Sequence, residues 1–352
     1  MIARAKILLV GPCPPPYGGI SVHVATARRR LAAAGWRARV VDLATPAPGL
    51  LARIARHARR GWAVHVHTHG HSARIWLVAL ACGFAARRAP ARLLTLHSGL
   101  LPGFLAAAAA PTRGLVRAAL SRYDRVVGVG EAIRAALAPL AGRPDRLELV
   151  PAYLAERATG TAPPVTAERW LATDGPRLAA TLSFRPEYGL DVLVDAIERL
   201  EPRFPGLCCL LLGDSDRTRA TAVEKSLARR GLERRFVVAG EVDHAACLAL
   251  IARADLFVRP TLADGDSISV REALAAGVPV VASAVGTRPD GCVLVTPGDA
   301  DGLAAAIAGV VSGTPEASAA RPTPGEPDGL DRLLRIYRDI RLEGARCATA
   351  RA

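Results

Sequence analysis

The chain has 352 residues, 51% of them hydrophobic, which is enough for two domains with separate cores. Its net charge of +14 comes almost entirely from arginine, since Lys6 and Lys225 are the only lysines. Aromatic residues make up only 4% of the chain, which argues against a stacking platform for single-stranded nucleic acid. No uninterrupted apolar run reaches the roughly 18 to 20 residues of a membrane span, and no cleavable signal precedes the first strand.

These properties are typical of a cytoplasmic protein. The seven cysteines, at positions 13, 82, 208, 209, 247, 292 and 347, lack the paired spacing of a metal site, and we interpret them as reduced core residues. A GC-rich genome would account for the arginine excess. Alternatively, the arginines attract anionic lipid head groups and anionic substrates, which would place the protein at the inner face of the plasma membrane.

The first half of the chain alternates short apolar strands with longer helical stretches rich in alanine and arginine. The predicted strands cover residues 6–10, 38–43, 63–66, 92–96, 125–129 and 147–150. Strands that alternate with helices in this way form a parallel sheet with right-handed crossovers. We therefore predict a doubly wound α/β domain over residues 1–154.

A second series of strands follows a break in the pattern. Threonine, glycine and paired prolines interrupt the periodicity over 155–176, which we interpret as a linker. Strands are predicted at 177–182, 207–212, 235–239, 256–258, 279–282 and 292–295. They define a second α/β domain over 177–327, whose end, 313–328, is polar and rich in proline, and a last helix is predicted at about 329–343.

The most informative segment lies in the second half. Asp264 and Glu272 stand eight positions apart across a turn that opens a helix, and the helix ends at Gly277 before a Pro-Val-Val-Ala strand. Backbone N–H groups at a helix N-terminus bind phosphate well, so we expect residues 265–268 to contact one. Glu272 lies a little over one turn into the helix, where we expect it to accept hydrogen bonds from sugar hydroxyls and to carry little packing.

This segment resembles the acidic signature of retaining glycosyltransferases with the GT-B fold, in particular family 4. There, two glutamates bracket seven residues before an Ala-Met-Ala-Cys-Gly-Thr-Pro-Val-Val-like run, and here Asp264 stands in place of the first glutamate. The resemblance implies two Rossmann-like doubly wound domains that face a cleft, with the helix at 328–352 returning to the first. It also implies retaining transfer of a sugar from a nucleotide-diphosphate sugar to an acceptor hydroxyl, without a cofactor.

Three motifs of the first half extend the resemblance. Gly18 and Gly19 follow the first strand and are similar to the family's Gly-Gly loop near the donor phosphates. His97 ends a strand in a His-Ser-Gly run and resembles the histidine that family members direct toward the transferred sugar. The run His65-Val-His67-Thr-His69-Gly-His71 suggests a zinc site, since alternate residues of a strand share a face, but it crosses a strand end. We expect a packing role here, or a cleft-lining role for His67 or His69, and no metal.

The second half departs from the family at one place. Ser183 and Tyr188 align with the arginine and lysine that neutralise the departing diphosphate in family members. Arg185, in the same loop, is the predicted replacement, with Arg259 and Arg271 as secondary candidates, because arginine suits bidentate phosphate binding. The turns at 213–214 and 240–242 resemble the family's Gly-Asp-Gly and Leu-Gly-x-Val loops.

The resemblance thus implies a set of site residues. The predicted catalytic residues are His97, Arg185, Asp264 and Glu272. The predicted donor-binding residues are Gly18, Gly19, Ser183, Gly213, Gly240, Glu241, Val242, Arg259, Gly265, Asp266, Ser267 and Ile268. The expected partners are a nucleotide-sugar donor and a glycan, glycolipid or small-molecule acceptor, as in bacterial envelope polysaccharide synthesis. Nucleic acid is not expected.

Other functions stay open at this point. A sugar-nucleotide epimerase or hydrolase uses the same fold, although the acidic motif is closer to the transferase pattern. The missing lysine and the shortened first acid would also permit a non-catalytic sugar-nucleotide-binding or scaffold subunit. A nicotinamide oxidoreductase is less compatible, because no Gly-x-Gly-x-x-Gly follows the first strand.

Overall fold

The computed structural model of the protein describes residues 5–43, 49–156, 161–214, 216–313 and 329–349, with the side chains of the last helix described as far as Ile340. The chain divides into two compact units, Met1–Leu154 with Pro327–Ala352, and Ala155–Glu326. The polar segment predicted at 313–328 lies outside the described residues after Gly313, as does the 157–160 part of the predicted linker.

The first unit is built on a six-stranded parallel sheet in the order β2-β1-β3-β4-β5-β6. Its strands are β1 (Lys6–Gly11), β2 (Arg37–Asp42), β3 (Ala63–Thr68), β4 (Arg92–Leu96), β5 (Arg125–Gly128) and β6 (Leu147–Leu149). The helices between them are α1 (Gly19–Ala33), α2 (Leu50–Arg59), α3 (Ala73–Ala85), α4 (Leu101–Ala107), α5 (Ala110–Leu120) and α6 (Glu131–Leu137). The strand order changes direction between β1 and β3, which is where doubly wound sheets bind ligands.

The C-terminal helix, Gly329–Thr349, completes the core of this unit. Its apolar residues at 330, 333, 334, 336, 337 and 340 pack with residues of β1 and α1, among them Ile7, Leu9 and Leu31. Their spacing of three and four residues forms one apolar stripe on a helix, which explains why this helix packs on the sheet by that face.

The second unit has its own six-stranded parallel sheet, in the order β12-β11-β10-β7-β8-β9. Its strands are β7 (Arg177–Thr181), β8 (Cys208–Leu212), β9 (Phe236–Gly240), β10 (Leu256–Arg259), β11 (Val280–Ser283) and β12 (Cys292–Val295). The helices are α7 (Glu168–Leu171), α8 (Leu190–Leu200), α9 (Arg217–Arg229), α10 (His244–Ile251), α11 (Ile268–Ala275) and α12 (Ala300–Val311). Read from β9, this is the nucleotide-binding order 3-2-1-4-5-6, with its switch point between β7 and β10.

Two apolar layers cover the faces of this second sheet. Cys209 and Leu211 pack on one face with α8 and α12, while Cys208, Leu210 and Leu212 pack on the other with α10 and α11. Successive side chains of a strand point to opposite faces, so a strand buried on both faces needs an unbroken apolar run. This requirement explains why these strands were visible in the sequence.

The twelve observed strands match the twelve predicted ones, with ends that differ by one or two residues. The segment predicted as a linker differs more. It contains α7, whose Trp170 is fully buried in the second core and donates from Nε1 to the carbonyl of Leu178 at 2.9 Å. A single large aromatic anchors this polar, proline-rich stretch to the sheet, and periodicity cannot reveal such an anchor.

The described cysteines, at 13, 82, 208, 209, 247 and 292, are free thiols. Burial raises the pKa of the Cys82 thiol to about 12, so this residue behaves as an apolar core residue. Among the described helices, none combines the length and apolarity needed to cross a membrane.

Candidate functional site

The predicted donor residues of the second unit lie at one edge of its sheet. Ser183 follows β7, Gly213 follows β8, Glu241 follows β9, and the acidic segment 264–272 follows β10. The carboxyl ends of parallel strands meet at the same edge, and β7 and β10 flank the switch point. The fold therefore brings these loops together although they are far apart in the sequence.

Gly189 fixes the loop after β7 against the end of β10. Its backbone has φ of +69°, and a Cβ at this position would lie 2.0 Å from the carbonyl oxygen of Pro260. The amide of Leu262 donates to the carbonyl of Glu187 at 2.9 Å, and the Arg259 guanidinium lies 5.3 Å from the centre of the Tyr188 ring. Only glycine permits this close approach, so Gly189 positions the loop that carries Arg185 beside the acidic segment.

Asp264 lies between two arginines. The Nε of Arg259 donates to Asp264 Oδ2 at 3.0 Å, and Nη1 of Arg288 donates to the same oxygen at 3.2 Å. Arg259 also donates from Nη1 to the carbonyl of Thr181, and Arg288 donates from Nη2 to Thr261 Oγ1 at 2.9 Å. The three groups carry a net charge of +1, which suits an anionic ligand.

The surroundings of this cluster set its ionisation. Burial alone would raise the pKa of Asp264, but the charges and hydrogen bonds of Arg259 and Arg288 outweigh it and hold that pKa below its ordinary value. Burial would lower the pKa of Arg259, and the neighbouring Asp264 outweighs it and raises that pKa. For Arg288, burial prevails and lowers the pKa. An ionised Asp264 already bound by two arginines is less free to bind a sugar hydroxyl than its sequence suggests.

Two predicted groups of the turn before α11 have partners within the protein. The N–H of Gly265 donates to Asp264 Oδ1 at 3.1 Å, so it is engaged locally. Arg271, a secondary phosphate candidate, forms a buried ion pair with Asp266 Oδ1 at 2.7 Å, and neither side chain is more than 6% exposed. Both side chains are therefore held within the protein. The backbone N–H groups of Ser267, the N-cap residue, and of Ile268 stay the predicted phosphate donors.

Glu272 is more buried than the sequence suggests. It is 7% exposed, and Nε2 of His244 lies 2.6 Å from its Oε1. The other ring nitrogen of His244, Nδ1, lies 3.0 Å from Glu156 Oε2. The expectation that Glu272 carries little packing is wrong, because α10 packs on α11 and places His244 against it. His244 thus contacts Glu156 through one ring nitrogen and Glu272 through the other.

Asp214 joins the loops after β7 and β8. Its Oδ2 accepts from Ser183 Oγ at 2.9 Å and from the amide of Phe184 at 2.7 Å, while Oδ1 accepts from the amide of Asp216 at 2.8 Å. Burial would raise the pKa of Asp214, and these hydrogen bonds, with the charge of Arg219, outweigh it and lower that pKa. Ser183, a predicted donor residue, thus also holds the loop in place.

The remaining predicted donor residues of this unit border the same edge. Gly213 and Gly240 have positive φ, and the amide of Gly213 donates to the carbonyl of Gly240 at 2.8 Å. Glu241 and Val242 are half-buried in the next loop. Arg185 is exposed at the start of the turn Pro186–Tyr188, so its guanidinium is accessible to a ligand.

In the first unit, the glycine loop and His97 lie at the carboxyl edge of their own sheet. A Cβ at Gly18 or Gly19 would meet no described atom within 4 Å, so the described packing does not require glycine there. His97 follows β4, its amide donates to the carbonyl of Thr68 at 3.0 Å, and its Nε2 lies 3.3 Å from Nδ1 of His67. His67 is 1% exposed and packs in the interior, so His69, which is half-buried, is the more accessible of the two histidines predicted to line a cleft.

Three residues of the site in the second unit were not predicted from the sequence, namely Glu156, His244 and Arg288. His244 and Arg288 each lie four or five residues beyond a strand end, at Gly240 and Ser283. A charged residue just beyond a buried strand is the signal that could have found them, because the topology gathers such residues at one edge. Glu156 follows no predicted strand of that sheet, and we find no sequence signal for it.

Comparison with known proteins finds a family match for part of the chain. Residues 175–312 match the family of glycosyl transferases group 1. The phosphatidyl-myo-inositol mannosyltransferase of Mycolicibacterium smegmatis is 34% identical over 149 residues, which span 39% of this chain and 37% of that protein. The enzyme of the same name from Mycobacterium tuberculosis strain H37Rv is 33% identical over 114 residues, 31% of this chain and 29% of that protein.

Solved structures resemble the whole chain. Anabaena HepE in complex with UDP superposes with a TM-score of 0.63 at 19% identity, covering 98% of this chain and 100% of that chain. Sucrose-phosphate synthase from Thermosynechococcus elongatus gives 0.68 at 22% identity, covering 99% of each chain. Together with the two six-stranded parallel sheets, these matches show the GT-B fold, and they confirm the predicted fold class of two Rossmann-like units.

Proposed function

We propose that this protein is a retaining glycosyltransferase that moves a sugar from a nucleotide-diphosphate sugar to an acceptor hydroxyl. The observation that carries the proposal is the cluster of Arg259, Asp264 and Arg288 at the switch point of the second sheet, within the segment that matches glycosyl transferases group 1. The net positive charge of this cluster and the N-terminus of α11 are suited to a diphosphate.

Neighbouring structures support a nucleotide-sugar donor. HepE was crystallised with UDP, with UDP and glucose, and with UDP-glucose. At 19% identity, HepE shares the fold with this chain, so it supports the class of donor and leaves base and sugar open. The donor would lie along the loops after β7, β8 and β10, with its base near 240–242 as the resemblance implies.

Different residues of the site act on the leaving diphosphate and on the donor hydroxyls. As the bond between the anomeric carbon and the phosphate oxygen breaks, negative charge grows on the leaving diphosphate, and Arg185, Arg259 and the N–H groups of Ser267 and Ile268 stabilise it. The acceptor oxygen bonds to the anomeric carbon, and its proton passes to the leaving phosphate. Glu272, held by His244, binds donor hydroxyls, and Asp264 mainly orients the two arginines. A sugar-contacting role for His97 stays a prediction from the resemblance.

We propose a glycan or glycolipid of the cell envelope as the acceptor. Two observations support it: the matched mycobacterial enzymes are named for mannosyl transfer to phosphatidyl-myo-inositol, and this chain has a net charge of +14. Anionic lipid attracts such a chain, and we propose a cytoplasmic protein that reaches the inner face of the membrane.

One observation favours a second function, a non-catalytic sugar-nucleotide-binding subunit. Asp264 and Glu272 both have protein partners within hydrogen-bonding distance, and an exposed arginine replaces the usual arginine and lysine pair. A binding subunit would keep nucleotide-diphosphate affinity without turnover. Incubation with UDP-, GDP- and ADP-sugars separates the two functions, because only a transferase releases the nucleoside diphosphate in step with a new glycoside.

The product should keep the anomeric configuration of the donor. This outcome follows from the proposed mechanism, in which the acceptor attacks the face that the leaving phosphate vacates. Proton NMR of the anomeric centre of the isolated glycoside is the measurement. A product with the opposite anomeric configuration would contradict the assignment.

Nucleoside-diphosphate binding should survive chelation, because arginine side chains and a helix N-terminus supply the positive charge in this unit. Calorimetric titrations before and after dialysis against EDTA should give dissociation constants that agree within about twofold, far below the tenfold that 1.4 kcal/mol represents. Loss of binding on chelation, and its return with Mg²⁺, would show that a metal bridges the diphosphate.

A further inference from the structure

Three histidines from separate parts of the first unit lie together, two of them buried and His97 half-buried. His23 belongs to α1, His67 to β3, and His97 follows β4. One ring nitrogen from each lies within 4.8 Å of the other two. The ring centroids are 5.1 Å apart for His23 and His67, 4.9 Å for His23 and His97, and 5.6 Å for His67 and His97.

These separations are close to those around a bound metal ion. Zinc binds histidine nitrogens at about 2.0–2.1 Å, so tetrahedral ligand nitrogens lie about 3.3 Å apart and their ring centroids about 5 Å apart. Nδ1 of His67 and Nε2 of His97 are 3.3 Å apart. The three ligand nitrogens lie within 4.8 Å of one another, a spread that exceeds the ideal separation, so binding of an ion would require the rings to move closer together.

The hydrogen bonds of the cluster leave nitrogens available for a ligand. Nδ1 of His23 lies 2.7 Å from the carbonyl of Ala152 and must donate to it, so Nε2 of His23 carries a lone pair. That Nε2 of His23 is buried and has no hydrogen-bond partner among the described residues. His23 is 3% exposed and His67 1% exposed, and buried polar atoms without a partner are rare.

The three rings are also in the protonation state that metals require. Burial lowers the pKa of His23 to about 4 and, with repulsion between the rings, lowers the pKa values of His67 and His97 well below the ordinary value. The rings are therefore neutral at physiological pH, and neutral imidazole is the ligating form. The bond from His23 to Ala152 is the kind of outer contact that fixes the tautomer of a ligand histidine.

The other histidines nearby are engaged elsewhere. Both ring nitrogens of His65 have partners, Tyr337 Oη at 2.6 Å and Thr95 Oγ1 at 2.7 Å. Nδ1 of His71 lies 2.7 Å from Ser98 Oγ, and the ring centroids of His69 and His71 are 4.0 Å apart. The histidine run at 65–71, which suggested zinc in the sequence, therefore contributes only His67 to the cluster.

We propose that His23, His67 and His97 bind one divalent transition-metal ion, zinc or a cation of similar preference, through three imidazole nitrogens, with water as a fourth ligand. The ion would join the start of α1 to the ends of β3 and β4, beside the switch point of the first sheet. It would act by holding these elements together. This proposal departs from the metal-free expectation of the sequence. It rests on residues of the first unit, and it replaces the sugar-contacting role that the resemblance implies for His97.

The test uses the full chain after removal of any purification tag and stripping with EDTA. Calorimetric titration with Zn²⁺ should show one ion per chain, and saturating zinc at about 100 times its Kd should raise Tm by about 5–10 °C. Co²⁺, which accepts the same nitrogen ligands, should give the visible absorption of a low-coordinate site. Because this readout uses the wild type, it does not depend on a variant that folds.

Matched variants assign the site. His23→Gln and His67→Gln should lose the stoichiometric ion and its Tm shift, whereas His57→Gln, a histidine of α2 outside the cluster, should keep both. The proposal is overturned if the stripped wild type binds no ion, if its only uptake is weak and not saturable at one ion per chain, or if the His23 and His67 variants bind as the wild type does. Unchanged nucleoside-diphosphate affinity in the stripped protein separates this site from the donor site.

Discussion

The Arg185→Ala variant should bind a nucleoside diphosphate about ten- to a hundredfold more weakly than the wild type, and the matching nucleoside equally well. Arg185 is exposed on the loop that Gly189 fixes against Pro260, so it can reach a phosphate without packing in the core. The loss corresponds to one charge-assisted hydrogen bond, about 1.5–3 kcal/mol. Calorimetry with the diphosphate and with the nucleoside is the measurement.

Arg234→Ala is the matched control, because Arg234 is an exposed arginine of the same unit that precedes β9 and so lies at the opposite edge of the sheet. It removes the same charge and should leave both affinities unchanged. Equal weakening in the two variants would assign the effect to net charge alone. Arg259 is a less informative target, since its removal also leaves the buried Asp264 with one partner fewer.

The Glu272→Gln variant should lose about ten- to a hundredfold in kcat/KM for sugar transfer. Glutamine keeps the shape of the side chain but lacks the charge that strengthens hydrogen bonds to donor hydroxyls and to His244. Glutamine is preferred to alanine because Glu272 is buried, and truncation would leave a cavity and remove the oxygen that contacts the His244 ring. Initial rates at subsaturating donor are the measurement.

Glu224→Gln on α9 serves as its control, since Glu224 is exposed and the change in charge is the same. Its rates should equal those of the wild type. Thermal melting of both variants establishes that each is folded. Wild-type rates in a folded Glu272→Gln protein would remove Glu272 from the site.

The strands of the fold could be predicted from local sequence, but few of its long-range contacts could. Strands buried on both faces require apolar runs, and glycine and proline mark their ends, so β1 to β12 could be predicted. Trp170 was missed because one anchoring aromatic leaves no periodic signal. The position of the acidic motif could be predicted because Asp264 and Glu272 belong to one turn and helix.

The partners of those two acids could not be predicted. Arg288 approaches Asp264 from 24 positions away, and His244 approaches Glu272 from 28 positions away. Such contacts depend on which strands are neighbours and on how α10 packs on α11. The same reason explains His23, His67 and His97, since only the order β1-β3-β4 brings their elements together.

The most direct test of the central claim is calorimetric titration of the wild-type chain with UDP, GDP and ADP. The proposed donor site predicts saturable binding of at least one nucleoside diphosphate at one per chain, with a much weaker response to the same nucleoside without phosphates. If none of the three binds, the arginine cluster at the switch point of the second sheet is not a diphosphate site, and the glycosyltransferase assignment is contradicted.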